Sequence, residues 1–394
     1  MANRSLQYAT IFLTCFIDIL GFGIVIPVLP LYAEHFGATA LQIGWLVGIF
    51  SLAQFFFAPV WGKISDRVGR KPVLLVGLVG TVAGYVLMGL AGSVMMLMVA
   101  RLIAGIGGAN ISAAQAYLAD ISTGENRAKA MGLLGAAFGL GFVFGPALGG
   151  WASVKFNYAA PMYIAAGLAA VNFFFVLFCL PESLKRGEGV ERREAIFPHL
   201  FRHVKLRTFL WSVVSYFLVI VGFSIMTTLF ALYLFHRFGM DALHTGYVLA
   251  GIGIIGVIIQ GGLIGRLVKR FGEAKLALAG AVVMSAGLGG LAFSSTFGWM
   301  LVTAAAIGVG NSLLMPTLSS LASRSAEPEW QGRALGVMQS SGSLARWVGP
   351  MFAGVLLTVQ LSSGWGGYAF LPMGVAAVIL LVAAGAVLKL SAKT

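Results

Sequence analysis

The sequence is poor in charge, poorer still in acid, and almost without cysteine. Only 10% of its 394 residues are charged, against roughly a quarter in an ordinary soluble domain, which excludes a water-soluble globular protein. Lys and Arg number 26 and Asp and Glu only 13, for a net charge of +13. On a soluble chain that surplus would suggest a nucleic-acid partner. Here the cations sit in short loops between apolar runs, as membrane orientation requires, and no separate basic face exists. Cys15 and Cys179 both lie inside apolar runs, so neither a disulfide framework nor a zinc site is expected. There is no nucleotide loop, metal-ligand cluster or catalytic triad, so neither an enzyme nor a cofactor is expected. The first apolar run, from Tyr8 to Ala33, contains Pro27 and Pro30 and is too long for the apolar core of a cleavable leader.

What the chain does have is apolar residues, 59% of the total, and 53 glycines. Its mean hydropathy is +0.93. Abundant glycine suits helices that approach closely in a membrane. At about 20 apolar residues per crossing, twelve helices are expected in an all-α integral membrane protein. The first six span 8–33, 43–64, 72–91, 93–117, 130–153 and 160–180; the rest span 208–235, 243–268, 275–294, 297–322, 333–359 and 366–388. The expected domains are a six-helix bundle over 1–181, a cytoplasmic linker over 182–207 and a second six-helix bundle over 208–394. In the linker Ile196, Phe197, Leu200, Phe201 and Val204 recur at helical spacing among basic residues, the pattern of an amphipathic helix on the membrane surface. With the N-terminus cytoplasmic, the loop cations gather inside, only Lys155 and Arg237 fall outside, and both termini are inside. Arg101 and Arg346 are left within the membrane.

The most polar motif occurs twice. Gly62-Lys63-Ile64-Ser65-Asp66-Arg67-Val68-Gly69-Arg70-Lys71 has a weaker copy in Gly265-Arg266-Leu267-Val268-Lys269-Arg270-Phe271-Gly272, and Gly62–Gly69 and Gly265–Gly272 keep the same register. Gly132 leads to Gly145-Pro146 over the same interval by which Gly336 leads to Gly349-Pro350. Two six-helix halves of like polarity form the parallel repeat of an alternating-access transporter.

Four stretches resemble the signatures of the major facilitator superfamily, in its twelve-span drug:proton antiporter branch and closest to the tetracycline-efflux group. They are Gly62 to Lys71, the first-helix stretch Asp18 to Pro27, the fourth-helix stretch Arg101 to Gly107, and Gly141 to Gly150 with Gly145, Pro146 and Gly149 inside it. The resemblance covers essentially the whole chain. It implies export of amphipathic small molecules from the bacterial cytoplasmic (inner) membrane, proton-coupled and monomeric, with no nucleic-acid partner. One departure stands out. Tetracycline antiporters carry a histidine and an aspartate within the eighth and ninth helices, where this chain reads Gly256 to Gln260 and Val282 to Ser285. All acids of the second half are expected in loops, and tetracycline itself is not the expected substrate.

Asp18 is the one carboxylate well inside an expected helix. An isolated ionised carboxylate there is costly, so Asp18 either carries the coupling proton or is held in a fixed ion pair with Arg101. Arg101 shares its helix face with Gly105, Gly108, Ser112 and Gln115. Arginine stays protonated, so its expected work is to tune Asp18 or, alternatively, to snorkel. Arg346 has Gln339 two turns below it on the eleventh helix. It either recognises an anionic substrate or binds helix-end carbonyls. Gln54, Gln115, Gln260 and Gln339 are the other polar candidates for substrate binding, with Ser112. Asp66 and Arg70 stand one helical turn apart, and the resemblance adds Asp120 to make a conformational latch with Gly62, Arg67, Gly69 and Lys71; the alternative is that the basic residues only anchor topology. The resemblance also gives Gly141, Gly145, Pro146, Gly149 and Gly150 a role in hindering proton leak. A second reading of the whole is an exporter, flippase-like, of a lipid or an anionic metabolite.

Overall fold

A computed structural model describes residues 4–109, 111–121, 127–184, 200–327, 330–364 and 368–391. Among these no strand occurs, and one isolated bridge joins Val204 to Ala326. The helices are α1 (Arg4–Val25), α2 (Leu29–His35), α3 (Ala40–Val68), α4 (Arg70–Gly89), α5 (Val94–Gly108), α6 (Ile111–Ile121), α7 (Arg127–Lys155) and α8 (Ala160–Cys179). They continue as α9 (Leu206–Phe238), α10 (Ala242–Ile258), a π-helical turn (Ile259–Leu263), α11 (Ile264–Phe271), α12 (Glu273–Ala292), α13 (Phe297–Arg324), α14 (Gln331–Ser363) and α15 (Phe370–Ser391).

Among the described residues, eleven helical stretches are long and apolar enough to cross a membrane. The expected crossing at 130–153 corresponds to the 29-residue α7, which runs through Pro146 without interruption. Several elements differ from the sequence reading. The first crossing is broken after Val25, and α2 restarts with Pro30 in its first turn, where proline needs no N–H partner. Within the expected crossing at 93–117, α5 ends at Gly108 and α6 begins at Ile111, and together they make one span, Val94–Leu118. The expected loop of the glycine-and-charge motif is one residue long. Helix α3 continues to Val68, Gly69 makes the turn at φ 110°, and α4 begins at Arg70. Glu273, expected in a loop, opens α12 after Gly272, which turns at φ 80°. At three helix starts the orphan N–H groups are met by Thr39, Ser93 and Thr296 side chains, the caps that helix ends favour.

The chain divides into two compact units. The first holds Met1–Glu191 and Met240–Ala250, the second Arg192–Gly239 and Gly251–Thr394. The first half of α10 therefore belongs with the first unit. Gly150 and Gly246 are the cause: a methyl on Gly150 would lie 2.3 Å from the Ala242 carbonyl oxygen, and one on Gly246 would lie 2.3 Å from that of Pro146. In the first unit Ile11, Leu74, Leu78, Tyr117, Leu118 and Val176 form a shared core. The second is centred on α9, where Val219, Ile225, Met226, Leu229, Phe230 and Leu232 are buried. Glycine sets helix spacing in both units. Gly107 sits against Gly77 and Gly80 between α4 and α5, and Gly280 against Gly310 between α12 and α13.

Of the expected amphipathic linker, Ile196 and Phe197 lie outside the described residues. Its described end folds onto the segment between α13 and α14. Leu200 is buried, Lys205 N donates to Ser325 O and Glu327 N to His203 O. The His203 ring stands 2.8 Å from Glu327 and stacks on Trp330 at 4.5 Å.

Candidate functional site

The polar side chains of the first unit fall into two clusters, one inside the helices and one at the α3–α4 turn. Inside, α1 lies on α7 along a seam of glycine. Methyl groups on Gly141, Gly145 and Gly149 would stand 2.6 Å from Ile19 Cγ2, 2.8 Å from Gly23 Cα and 2.1 Å from Ile24 O. No side chain fits there, so the backbones touch. Asp18 precedes this seam on α1. Its Oδ1 is buried and, among the described residues, meets no hydrogen-bond donor.

Arg101 does not pair with it. The guanidinium is fully buried; its Nε and Nη2 donate to Leu46 O and Val47 O, both at 3.4 Å, and it stands 4.4 Å over the Phe50 ring. Nη1 has no partner among the described residues. Tyr85 of α4 packs on α1 beside Asp18: a methyl on Gly21, nearly one turn beyond Asp18, would be 3.0 Å from the Tyr85 hydroxyl oxygen. A turn before Asp18, Thr14 Oγ1 lies 2.9 Å from Thr10 O and 3.1 Å from Asn172 Oδ1, while Asn172 Nδ2 has no partner among the described residues. One hydroxyl hydrogen cannot serve two acceptors. With the amide turned end for end, Asn172 donates to Thr14 and an acceptor is freed. Tyr85, Thr14 and Asn172 were not among the sequence candidates: Thr14 is one turn from Asp18 on α1, but only helix packing brings Asn172 of α8 to Thr14 and Tyr85 of α4 to Gly21.

At the helix ends, Arg70 is buried and donates to Asp66 Oδ1 at 2.5 Å, Asp120 Oδ2 at 3.1 Å and Ser65 Oγ at 2.7 Å. Asp66, Arg70 and Asp120 thus form one cluster. The structure adds Glu182, just past the end of α8. Its carboxylate accepts from the backbone N–H groups of Arg70 (2.9 Å) and Lys71 (3.1 Å), the orphan donors at the start of α4. A methyl on Gly69 would lie 2.4 Å from Glu182 Oε2. Gly69 is thus required twice, by its positive φ and by this close approach. Ser183 Oγ donates to Asp120 Oδ2 at 2.9 Å, Lys71 Nζ to Leu177 O and Tyr117 Oη to Pro181 O. Arg67 is exposed, and nothing lies within 4 Å of a methyl built on Gly62. Neither takes part in the cluster.

The remaining polar candidates separate. Gln54 Nε2 donates to Gly108 O at 3.1 Å, and Ser112 Oγ to Ala58 O at 3.2 Å or Ala109 O at 3.1 Å. Both are used to join helices. Gln115 is exposed on α6. Gln260 is exposed on the π-helical turn, a distortion that occurs frequently at functional positions. In the second unit Tyr216 Oη of α9 stands 3.5 Å from Gln339 Oε1 of α14, and Arg346 Nη2 donates to Ser343 Oγ at 3.0 Å.

Membrane helices whose few polar side chains are drawn into such clusters define a multi-pass membrane transport protein. The family model of the Major Facilitator Superfamily matches residues 11–350 and 259–393, and the chain belongs to that superfamily. It is a transporter and not an enzyme, and with bacterial relatives along its length it is a protein of the bacterial cytoplasmic membrane. The chain is 32% identical to the class B tetracycline resistance protein of Escherichia coli over 89% of this chain and 88% of that one. To multidrug resistance protein 1 of Bacillus subtilis (strain 168) it is 28% identical over 92% of each. Among solved structures, the human organic anion transporter MFSD10 (TETRAN) matches with a TM-score of 0.73 and 24% identity, over 98% of this chain and 100% of that one.

Proposed function

We propose that this protein is a proton-coupled exporter of amphipathic small molecules, drugs among them, working as a monomer by alternating access. The observation that carries the reading is Asp18. A carboxyl group with a buried oxygen and no donor among the described residues cannot stay ionised cheaply. It holds a proton while shielded and releases it when water reaches it, which is what antiport needs. Arg101, held by carbonyls and the Phe50 ring, acts on Asp18 at a distance and not through a direct pair. The likeness to tetracycline and multidrug resistance proteins supports efflux as the direction. The cluster of Asp66, Arg70 and Asp120, with Gly69 and Lys71, serves as the conformational latch; Gly141, Gly145, Pro146 and Gly149 make the seam with α1 that keeps water from Asp18, while Gly150 packs on Ala242 of α10.

The test is collapse of an imposed pH gradient in liposomes on adding cationic, neutral and anionic amphiphiles. Wild type should collapse it with at least one of them, and Asp18→Asn should lose at least tenfold of that proton flux while still folding. Unchanged proton flux in Asp18→Asn removes Asp18 from the proton path. Substrate flux without proton movement favours the second reading, an exporter of a lipid or an anionic metabolite, for which Arg346 is the supporting observation.

A further inference from the structure

The two membrane arginines are held in opposite ways. Arg101 is fully buried and surrounded by its own protein. Arg346 is only partly buried and has one hydrogen bond, to Ser343 one turn earlier on α14. Among the described residues no carboxylate pairs with it and no carbonyl accepts from it. A guanidinium carries five N–H donors, so most of its donors are uncommitted. The expected structural role, bonding to helix-end carbonyls, is not the geometry found.

The surroundings are built to present donors. Gln339, Ser343 and Arg346 follow one another by four and three residues, which places them on one face of α14; Ser343 Oγ donates to Gln339 O at 3.2 Å and accepts from Arg346, so it positions the guanidinium and offers no donor of its own. Gln339 and its neighbour Ser340 are exposed. Gln339 Oε1 is turned to the Tyr216 hydroxyl, which leaves the two amide hydrogens pointing away from it. Tyr216 is fixed by Gly342: a methyl there would lie 2.8 Å from Tyr216 Cε1, 2.9 Å from Ile220 Cδ1 and 3.5 Å from Arg346 Nη1. Tyrosine ring, aliphatic side chain and guanidinium therefore meet at a position left free of side chain. An uncommitted cation on a membrane helix faces water or an anion, since lipid tails cannot accommodate it.

We infer that Arg346 and Gln339, with Ser343 positioning the guanidinium and Tyr216 behind them, form a subsite for the anionic group of the transported molecule, a carboxylate, sulfonate or phosphate on an apolar body. The inference rests on the reading of the protein as a carrier but not on proton coupling. Guanidinium gives charge and a planar donor fork to such groups, and the Gln339 amide adds neutral donors beyond it.

The experiment is equilibrium binding to the full-length protein in phosphatidylcholine nanodiscs with no pH gradient, so a failure of coupling does not affect it. The probes are naphthalene-2-sulfonate, naphthalene-2-sulfonamide and (naphthalen-2-ylmethyl)trimethylammonium, which share a ring system and differ in charge. Wild type should bind the sulfonate at least tenfold more tightly than the other two. Arg346→Ala should lose that preference, Arg346→Lys should keep part of it, and Gln339→Ala and Gly342→Ala should each lose a few-fold. Should Arg346→Ala fail to fold, Arg346→Lys and Gln339→Ala still report. No sulfonate binding by wild type, equal binding of the three probes, or an unchanged preference in Arg346→Ala overturns the inference. Adding phosphatidylglycerol to the nanodiscs separates the sources of the anion: competition with the sulfonate identifies a lipid head group, and no competition identifies a free amphiphile.

Discussion

The turn between α3 and α4 and the turn between α11 and α12 have nearly the same backbone and opposite charges. Each hinges on one glycine of positive φ, Gly69 at φ 110° and ψ 158° and Gly272 at φ 80° and ψ 157°. Asp66 stands where the second turn has Lys269, and Arg70 where it has Glu273. Asp120, near the end of α6, has a counterpart of opposite sign in Arg324 at the end of α13. The first set is gathered around a buried Arg70 side chain that is 5% exposed, with Asp66 at 16% and Asp120 at 28%. The second has a single ion pair, Glu273 to Arg324 at 3.3 Å, whose arginine is 73% exposed, with Ser320 also bonded to Glu273. A hinge of this shape can thus be built with either arrangement of charge. What differs is the depth of the arginine: removing a buried cation strands the charges it held, whereas breaking a pair whose arginine solvent screens costs little.

That difference can be broken or sharpened by substitution, with the largest effect expected at Arg70. Arg70→Ala leaves Asp66 and Asp120 together without the arginine and should cost about 3 kcal/mol, read as a lower thermal midpoint in detergent, with transport reduced at least tenfold. A change smaller than that of any second-turn variant would sink the argument from burial. Next come the glycines. Gly69→Ala and Gly272→Ala both force alanine to positive φ, at about 1 kcal/mol or more. Gly69→Ala also meets Glu182, whereas nothing lies within 4 Å of a methyl on Gly272, so Gly69→Ala should be the more damaging by about another 1 kcal/mol. Combining it with Glu182→Ala should recover part of the loss, and strict additivity of the two changes would show that the close approach does not matter. Glu182→Ala alone removes the cap of α4 and should cost about 1 kcal/mol, visible as faster amide exchange at Arg70 and Lys71. Smallest is Arg324→Ala, expected within about 0.5 kcal/mol of wild type and with transport unchanged.

Much of the fold was legible because hydrophobic run length is a strong signal in membranes. Crossings expected at 160–180, 208–235 and 297–322 are helices at Ala160–Cys179, Leu206–Phe238 and Phe297–Arg324. Local distortions were less visible. The π-helical turn Ile259–Leu263 lies in an apolar, glycine-rich run where each local conformation fits the composition equally well. Pro27 and Pro30 were read, but not the restart of the helix at Leu29. In the site, Asp66 and Arg70 were legible because they are one turn apart on the chain. Glu182 was not, since its bond to Arg70 N spans 112 residues. Arg101 shows a further limit. Balancing charges suggests Asp18 as its partner, whereas carbonyl oxygens and a ring face hold it, and neither appears in a count of acids and bases.

The contact of α7 with the start of α10 consists of Gly150 against Ala242 and Gly246 against Pro146. Glycine has no rotamers to freeze, so forming such a join costs no side-chain conformational entropy at those positions, unlike a contact made by leucine or methionine. Its strength depends on the fit of two backbones and should vary little with temperature through side-chain ordering. A join of this kind separates or re-forms without any side chain at it having to reorganise.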